Sequence, residues 1–105
     1  MLETIETKEQ VVAAIGNCRF QLQQLGVKRL GLFGSFVRGE QRDDSDVDFL
    51  VEFEEGQKTF DHFMTLSFLL EETLKRRVEI VTPESLSPHI GPRILREVDY
   101  VFVTS

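Results

Sequence analysis

The chain has 105 residues, of which 41% are hydrophobic and 29% charged, and its formal net charge is -6. This length suits one compact domain over residues 1–105 and is too short for two cores. The negative charge argues against broad nucleic-acid binding, which needs a basic face, and fits either a divalent-cation site or simple solubility. No apolar run approaches the ~20 residues that cross a bilayer, no signal peptide is visible, and the single Cys18 has no disulfide partner, so we expect a cytoplasmic protein.

The first predicted element is an amphipathic helix. Thr7-Lys8-Glu9-Gln10 has the form of a capping box, with Thr7 as N-cap and Gln10 reaching back. Apolar side chains then recur at three- and four-residue steps, which predicts one helix of about four turns ended by Gly26. The stripe consists of Val11, Ile15, Cys18, Leu22 and Leu25. Cys18 on this stripe is interpreted as a small buried hydrophobe rather than a nucleophile.

A short buried strand is predicted from Val27 to Phe33, and Gly34-Ser35 ends it. Ser35 has the residue type of an N-cap for a helical turn from Phe36 to Arg38, which Gly39 would terminate. Phosphate can approach the backbone closely at a glycine, and the first N–H groups of a helical turn have no internal partner. The same pattern is also typical of an ordinary strand-to-helix turn.

A second strand is predicted from Asp46 to Phe53, after a polar loop. Alternate residues from Val47 to Phe53 are apolar and must face a core, which places Asp46 and Asp48 together on the opposite face. Carboxylates two residues apart on a strand can converge on one or two Mg²⁺ ions. The alternative is a solvated strand edge, but the nearby glycine-serine turn favours one site for nucleotide phosphates and metal.

The second half of the chain predicts a helix from Thr59 or Asp61 to about Lys75, followed by a strand from Val78 to Val81. A short helix and a last strand, from Val98 to Val103, complete the chain. The helix stripe is broad: its apolar residues are Phe60, Phe63, Met64, Leu66, Phe68, Leu69, Leu70 and Leu74. The stripe is broader than one side of a sheet usually needs; the simpler interpretation is core packing, and the alternative is that part of it forms a partner-binding surface. This element order predicts an α/β or α+β fold with a small mixed sheet flanked by helices.

Three further residues are candidates for the site. Glu79 is the lone charge in an apolar strand, so it either faces water or joins Asp46 and Asp48 as metal ligand or base. Arg38 and Arg42 flank the loop and could clamp phosphate, although loop arginines are often merely solvated. No role is assigned to either histidine.

The spacing of Gly34-Ser35, ten residues, then Asp46-x-Asp48 resembles the signature of the polymerase-β-like nucleotidyltransferase superfamily. The longer string from Gly34 to Val51, with the later Arg-Val-Glu-Ile-Val, is similar to the minimal nucleotidyltransferases, the MNT proteins. The resemblance implies the nucleotidyltransferase fold, Asp46, Asp48 and Glu79 as acids that bind Mg²⁺, and Gly34 and Ser35 as phosphate contacts. One departure is Glu79, where such proteins commonly have Asp; the added methylene would lower activity.

The resemblance also implies a function. MNT proteins act as antitoxins of HEPN RNase toxins by transferring AMP from ATP to a tyrosine on that partner. We therefore expect a Mg²⁺-dependent adenylyltransferase that uses ATP and binds neither nucleic acid nor membrane directly. The alternatives are a non-catalytic antitoxin that blocks its toxin by contact, and an enzyme whose acceptor is a small molecule or an RNA end. The base preference, the acceptor residue and the oligomeric state stay open.

Overall fold

The computed structural model describes residues 5–104. It does not cover residues 1–4 and 105, so most of the segment on which the signal-peptide expectation rests lies outside the described residues. The elements, in chain order, are α1 Lys8–Asn17, α2 Arg19–Gln24, β1 Val27–Phe33, α3 Ser35–Arg38, β2 Val47–Phe53, α4 Phe60–Leu74, β3 Val78–Val81, a 3₁₀ turn Pro83–Ser85, α5 Gly91–Glu97 and β4 Asp99–Val103.

The strands form one mixed sheet in the order β3-β2-β1-β4. β1 pairs antiparallel with both β2 and β4, while β2 pairs parallel with β3. The long connection through α4 permits this parallel pairing, because parallel neighbours need a crossover. The predicted mixed sheet flanked by helices is confirmed.

The two faces of the sheet carry different packing. One face holds the main core, in which Phe49 and Val51 of β2 pack with Ile15 of α1 and Leu66 and Leu70 of α4, all five fully buried. The opposite face carries a smaller cluster of Phe33, Leu50 and Ile94, where α5 covers the sheet. The alternation predicted for β2 is therefore confirmed, and it places Asp48 on the α5 face beside Leu50.

The amino-terminal capping box forms as predicted: Thr7 Oγ1 accepts from the Gln10 N–H at 3.1 Å, and Gln10 Oε1 accepts from the Thr7 N–H at 3.1 Å. The single four-turn helix is wrong, because α1 ends at Asn17 and α2 begins at Arg19. Cys18 between them has φ -114° and ψ 21°, and its thiol donates to the carbonyl of Ile15. The apolar stripe continues across this break, so its period could not reveal it.

Ser35 is not the N-cap of the helical turn, which corrects the prediction. Gly34 takes that position with φ 82°, a left-handed value that glycine adopts without a Cβ penalty. The chain has therefore turned before Ser35, which already belongs to α3. Gly39 ends the turn as predicted, with φ 74°.

The broad apolar face of α4 divides into two parts. Leu66, Leu70 and Leu74 are fully buried, whereas Phe60 and Phe68 are 78% and 63% exposed. The core interpretation thus holds for the central stripe, and the two exposed rings leave the partner-surface alternative open. Over residues 5–104, every helix is too short or too polar to cross a membrane.

Candidate active site

The centre of the candidate site is Asp48 on β2, directly opposite Phe33 at the end of β1. Gly34 follows Phe33, so the turn into α3 lies beside the Asp48 carboxylate. A Cβ added to Gly34 would overlap that carboxylate, and the positive φ also requires glycine. The antiparallel pairing thus brings the glycine turn and the carboxylate together.

Two more carboxylates lie near Asp48. Glu79 on β3 is its direct neighbour in the parallel ladder, so both side chains point to the same face of the sheet. Asp46 precedes β2, and its Oδ1 lies 3.9 Å from Nε of Arg77, an ion pair at the surface. Asp48 and Glu79 therefore line one cavity on the α5 face, whereas Asp46 lines a separate cavity with Arg76 and Arg77.

Arg76 holds the loop that precedes Asp46. Its guanidinium donates to the carbonyls of Asp43 at 3.0 Å and Ser45 at 2.8 Å, and it lies over the ring of Phe36 at 5.1 Å. These contacts tie the loop to the end of α4. Arg76 was not among the predicted site residues.

Two adjacent cavities open on the α5 face and share Phe33, Asp48, Ile90 and Ile94 as walls. The first, of about 350 Å³, is also lined by Gly34, Arg38, His89, Arg93 and Glu97. The second, of about 380 Å³, is also lined by Glu79, Val81, Ser85, Leu86 and Ser87. Asp48 therefore lies between the two cavities. The first is lined by the basic residues Arg38, His89 and Arg93, and the second is more apolar and reaches Glu79.

Glu97 at the end of α5 occupies the polar side of the first cavity. Its Oε2 accepts from the backbone N–H of Gly34 at 2.6 Å, and both carboxylate oxygens lie 3.0 Å from Nη1 of Arg38. Arg38 also donates through Nε to Glu40 at 2.8 Å. The hydrogen bonds to Glu40 and Glu97 raise the pKa of Arg38.

The carboxyl group of Asp48 is electrostatically unusual. Burial raises its pKa from 3.8 to about 6, and the charges of Glu79 and Asp46 add to the increase. Arg38 opposes the shift by favouring the charged form. Crowded carboxylates of this kind gain from a bound cation, which would neutralise their mutual repulsion.

The donor set of Asp46, Asp48 and Glu79 fits Mg²⁺, which prefers hard oxygen ligands. In residues 5–104, however, no three acidic, histidine or cysteine side chains converge closely enough to form a ready metal cluster. These acids therefore suit Mg²⁺ through their oxygen donors and their positions on or next to neighbouring strands, and not through a preformed cluster. Of the predicted residues, Gly34, Arg38, Asp48 and Glu79 line the two cavities.

Arg42 lines neither of these cavities. Its described hydrogen bonds use the backbone, from its N–H to Ser45 Oγ and from Arg76 to its carbonyl. Conversely, the sequence analysis missed His89, Arg93 and Glu97 as cavity residues. Each stands alone in a segment without a motif, and only the folding of α5 over the sheet brings them to the site.

A mixed sheet with acids at neighbouring strand positions beside a glycine turn is an arrangement suited to nucleotidyl transfer. The model of the nucleotidyltransferase domain family matches residues 15–101. The chain belongs to this family.

Two similar proteins support this membership, and a third shares the fold. Protein adenylyltransferase MntA of Thermococcus cleftensis is 42% identical over 98 residues, which is 93% of this chain and 96% of that protein. A solved structure assigned as a minimal nucleotidyltransferase is 38% identical, with a TM-score of 0.69 over 88% of this chain and 89% of its own. In the complex of the tri-AMPylated Shewanella oneidensis HEPN toxin with MNT antitoxin, the matching chain is 17% identical, with a TM-score of 0.63 over 90% and 73%; it shares the fold. The resemblance to the MNT proteins is confirmed.

Proposed function

We propose that this chain is a Mg²⁺-dependent adenylyltransferase that transfers AMP from ATP to a hydroxyl, expected to be a tyrosine, of a HEPN RNase toxin and so neutralises it. The observation that carries the proposal is the position of Asp48, which lies between Gly34 on one side and Glu79 on the other. Phosphate donors and metal-binding acids are thereby neighbours on one face of the sheet.

The reaction is an in-line displacement at the α-phosphate. The acceptor oxygen forms a bond to phosphorus, the bond from phosphorus to the bridging oxygen of the β-phosphate breaks, and pyrophosphate leaves. Bound Mg²⁺ would neutralise phosphate charge and ease deprotonation of the acceptor hydroxyl. In this proposal Asp46 and Asp48 hold the metal, and Glu79 is a further ligand or accepts the hydroxyl proton.

The remaining parts of the first cavity suit the triphosphate. The Gly34 N–H and the Arg38 guanidinium are the donors on its polar side, and His89 and Arg93 stand on its walls. Ser35 does not line this cavity, and its predicted phosphate contact stays part of the proposal only through its position next to Gly34. The antitoxin role rests on likeness to the T. cleftensis MntA and to the S. oneidensis complex, whose HEPN toxin is described as AMPylated.

The decisive experiment incubates the protein with Mg²⁺, ATP and its candidate HEPN partner, and follows the mass of the intact partner. The D46N/D48N double variant should add no adenylate. The matched control is D43N/D44N, which changes the charge equally but alters two exposed loop residues. Adenylate added at the wild-type rate by D46N/D48N would refute the catalytic assignment.

The second candidate is a non-catalytic antitoxin. The observation that favours it is the exposure of Phe60 and Phe68 on α4, which leaves two aromatic rings free for a partner. If D46N/D48N fails to transfer AMP yet still suppresses the RNase activity of the toxin, steric inhibition is the function. Loss of suppression together with loss of transfer supports catalysis.

A further inference from the structure

Glu97 accepts hydrogen bonds from the same donors that the proposed function assigns to phosphate binding. Its carboxylate accepts from the Gly34 N–H at 2.6 Å and from Arg38 Nη1 at 3.0 Å, and its side chain is only 20% exposed. A carboxylate and a phosphate present similar charged oxygen acceptors to such donors. Glu97 therefore occupies the site in the manner of a bound anion.

We propose that Glu97 is an internal competitor of the nucleotide triphosphate and determines which phosphate ligands the site accepts. The inference rests on the proposed function, in which Gly34 and Arg38 bind phosphate. The single N–H proton of Gly34 cannot serve Glu97 and a phosphate oxygen fully at once. Phosphate binding therefore requires the Glu97 carboxylate to leave this position.

Charge makes this displacement selective. Glu97 and Asp48 line the same cavity, so an entering anion meets two negative side chains and gains only the donors that Glu97 gives up. A ligand that brings a divalent cation to Asp48 offsets that repulsion, whereas a metal-free phosphate ligand does not. Glu97 thereby favours Mg²⁺-bound ATP over metal-free pyrophosphate.

The test measures binding by calorimetry with two probes, inorganic pyrophosphate in EDTA and ATP with Mg²⁺. Glu97→Gln and Glu97→Ala are compared with Glu52→Gln. The Glu52 control is well matched, because its side chain is 22% exposed and accepts two hydrogen bonds from Arg29 at the other end of β2. All three variants change the net charge by the same amount.

Both Glu97 variants should bind pyrophosphate about tenfold more tightly than the wild type, because Ala frees the Gly34 N–H and the Arg38 guanidinium, and Gln holds them only by weaker, uncharged acceptance. Their preference for Mg²⁺-bound ATP over pyrophosphate should fall, and Glu52→Gln should match the wild type. If Glu97→Ala does not fold, Glu97→Gln decides, since it is isosteric. Its Gly34 amide proton should also move upfield in the NMR spectrum, because a neutral amide oxygen is the weaker acceptor.

Unchanged or weaker pyrophosphate binding by the Glu97 variants would overturn the inference, as would an equal gain in Glu52→Gln. If the wild type binds Mg²⁺-bound ATP and the Glu97 variants bind both probes as the wild type does, only the proposed role of Glu97 is refuted. If no form of the protein binds ATP, the proposed function fails and this inference with it.

Discussion

Gly34 and Asp48 are packed so closely that any side chain at position 34 would overlap the Asp48 carboxylate. Gly34 also has φ 82°, which L-residues rarely adopt. The contact joins the glycine turn at the end of β1 to the carboxylate near the start of β2. The two halves of the predicted signature are therefore adjacent in space as well as in sequence.

Gly34→Ala should destabilise the fold and abolish AMP transfer. The matched control is Gly39→Ala, because Gly39 has φ 74° but nothing within 4 Å of an added Cβ. In Gly39→Ala, backbone strain alone should lower the free energy of unfolding by about 1 kcal/mol. Gly34→Ala adds the overlap with the Asp48 carboxylate and should lower it by about 2–4 kcal/mol. Urea unfolding of both variants measures the difference, and equal losses would contradict the contact.

Asp48→Asn should stabilise the metal-free protein at pH 7. The pKa of Asp48 is raised to about 6 in the folded state, so the folded protein holds this proton more tightly than the unfolded chain does. The contribution of Asp48 to the free energy of unfolding is fully present below pH 3.8. It is lost as the pH rises through the folded-state pKa of about 6. With allowance for solvent screening, the gain from Asn at pH 7 should be about 1 kcal/mol.

The measurement is the free energy of unfolding of wild type and Asp48→Asn in EDTA between pH 4 and 7.5. Asp44→Asn, an exposed acid in the preceding loop, serves as the control for loss of one charge. The difference between wild type and Asp48→Asn should grow with pH. A pH-independent difference would contradict the raised pKa.

Glu79 should act as a carboxylate near the metal, so Glu79→Gln should lower the rate of AMP transfer by about tenfold or more. Glu79→Asp should keep or raise the rate, since the resemblance to the MNT proteins implies Asp at this position and the shorter side chain would restore that ligand distance. The measurement is the initial rate at saturating ATP and Mg²⁺. Equal rates for the wild type, Glu79→Gln and Glu79→Asp would show that Glu79 is a solvated strand residue without a role in transfer.

Arg38 and Arg42 should differ, although both were predicted as phosphate clamps. Arg38 lines the first cavity, whereas the described contacts of Arg42 are backbone hydrogen bonds in the loop. Arg38→Gln should raise the KM for ATP by about tenfold, and Arg42→Gln should leave it near the wild-type value. An equal increase in both variants would show that the loop moves to bring Arg42 to the nucleotide.

The sequence predicted what local patterns determine: the capping box at Thr7, the strands, and the face of Asp48. Cys18 shows a limit, because an apolar stripe keeps its period through a helix break. The pairing of Asp48 with Glu79 depends on strand order and register, which no local pattern specifies. Glu97 was missed for the same reason, since its contact with Gly34 spans 63 positions and arises only when α5 packs over the sheet.

We infer that the Gly34 turn, Asp48 and Glu79 form one site for a metal-bound triphosphate. A titration of the ¹⁵N-labelled protein with ATP and paramagnetic Mn²⁺, followed by amide NMR signals, tests it most directly. We expect the amides of Gly34, Ser35, Asp48 and Glu79 to lose intensity first, because broadening falls steeply with distance from the metal. Sharp signals at these positions, with broadening first at the exposed loop acids Asp43 and Asp44, would contradict it.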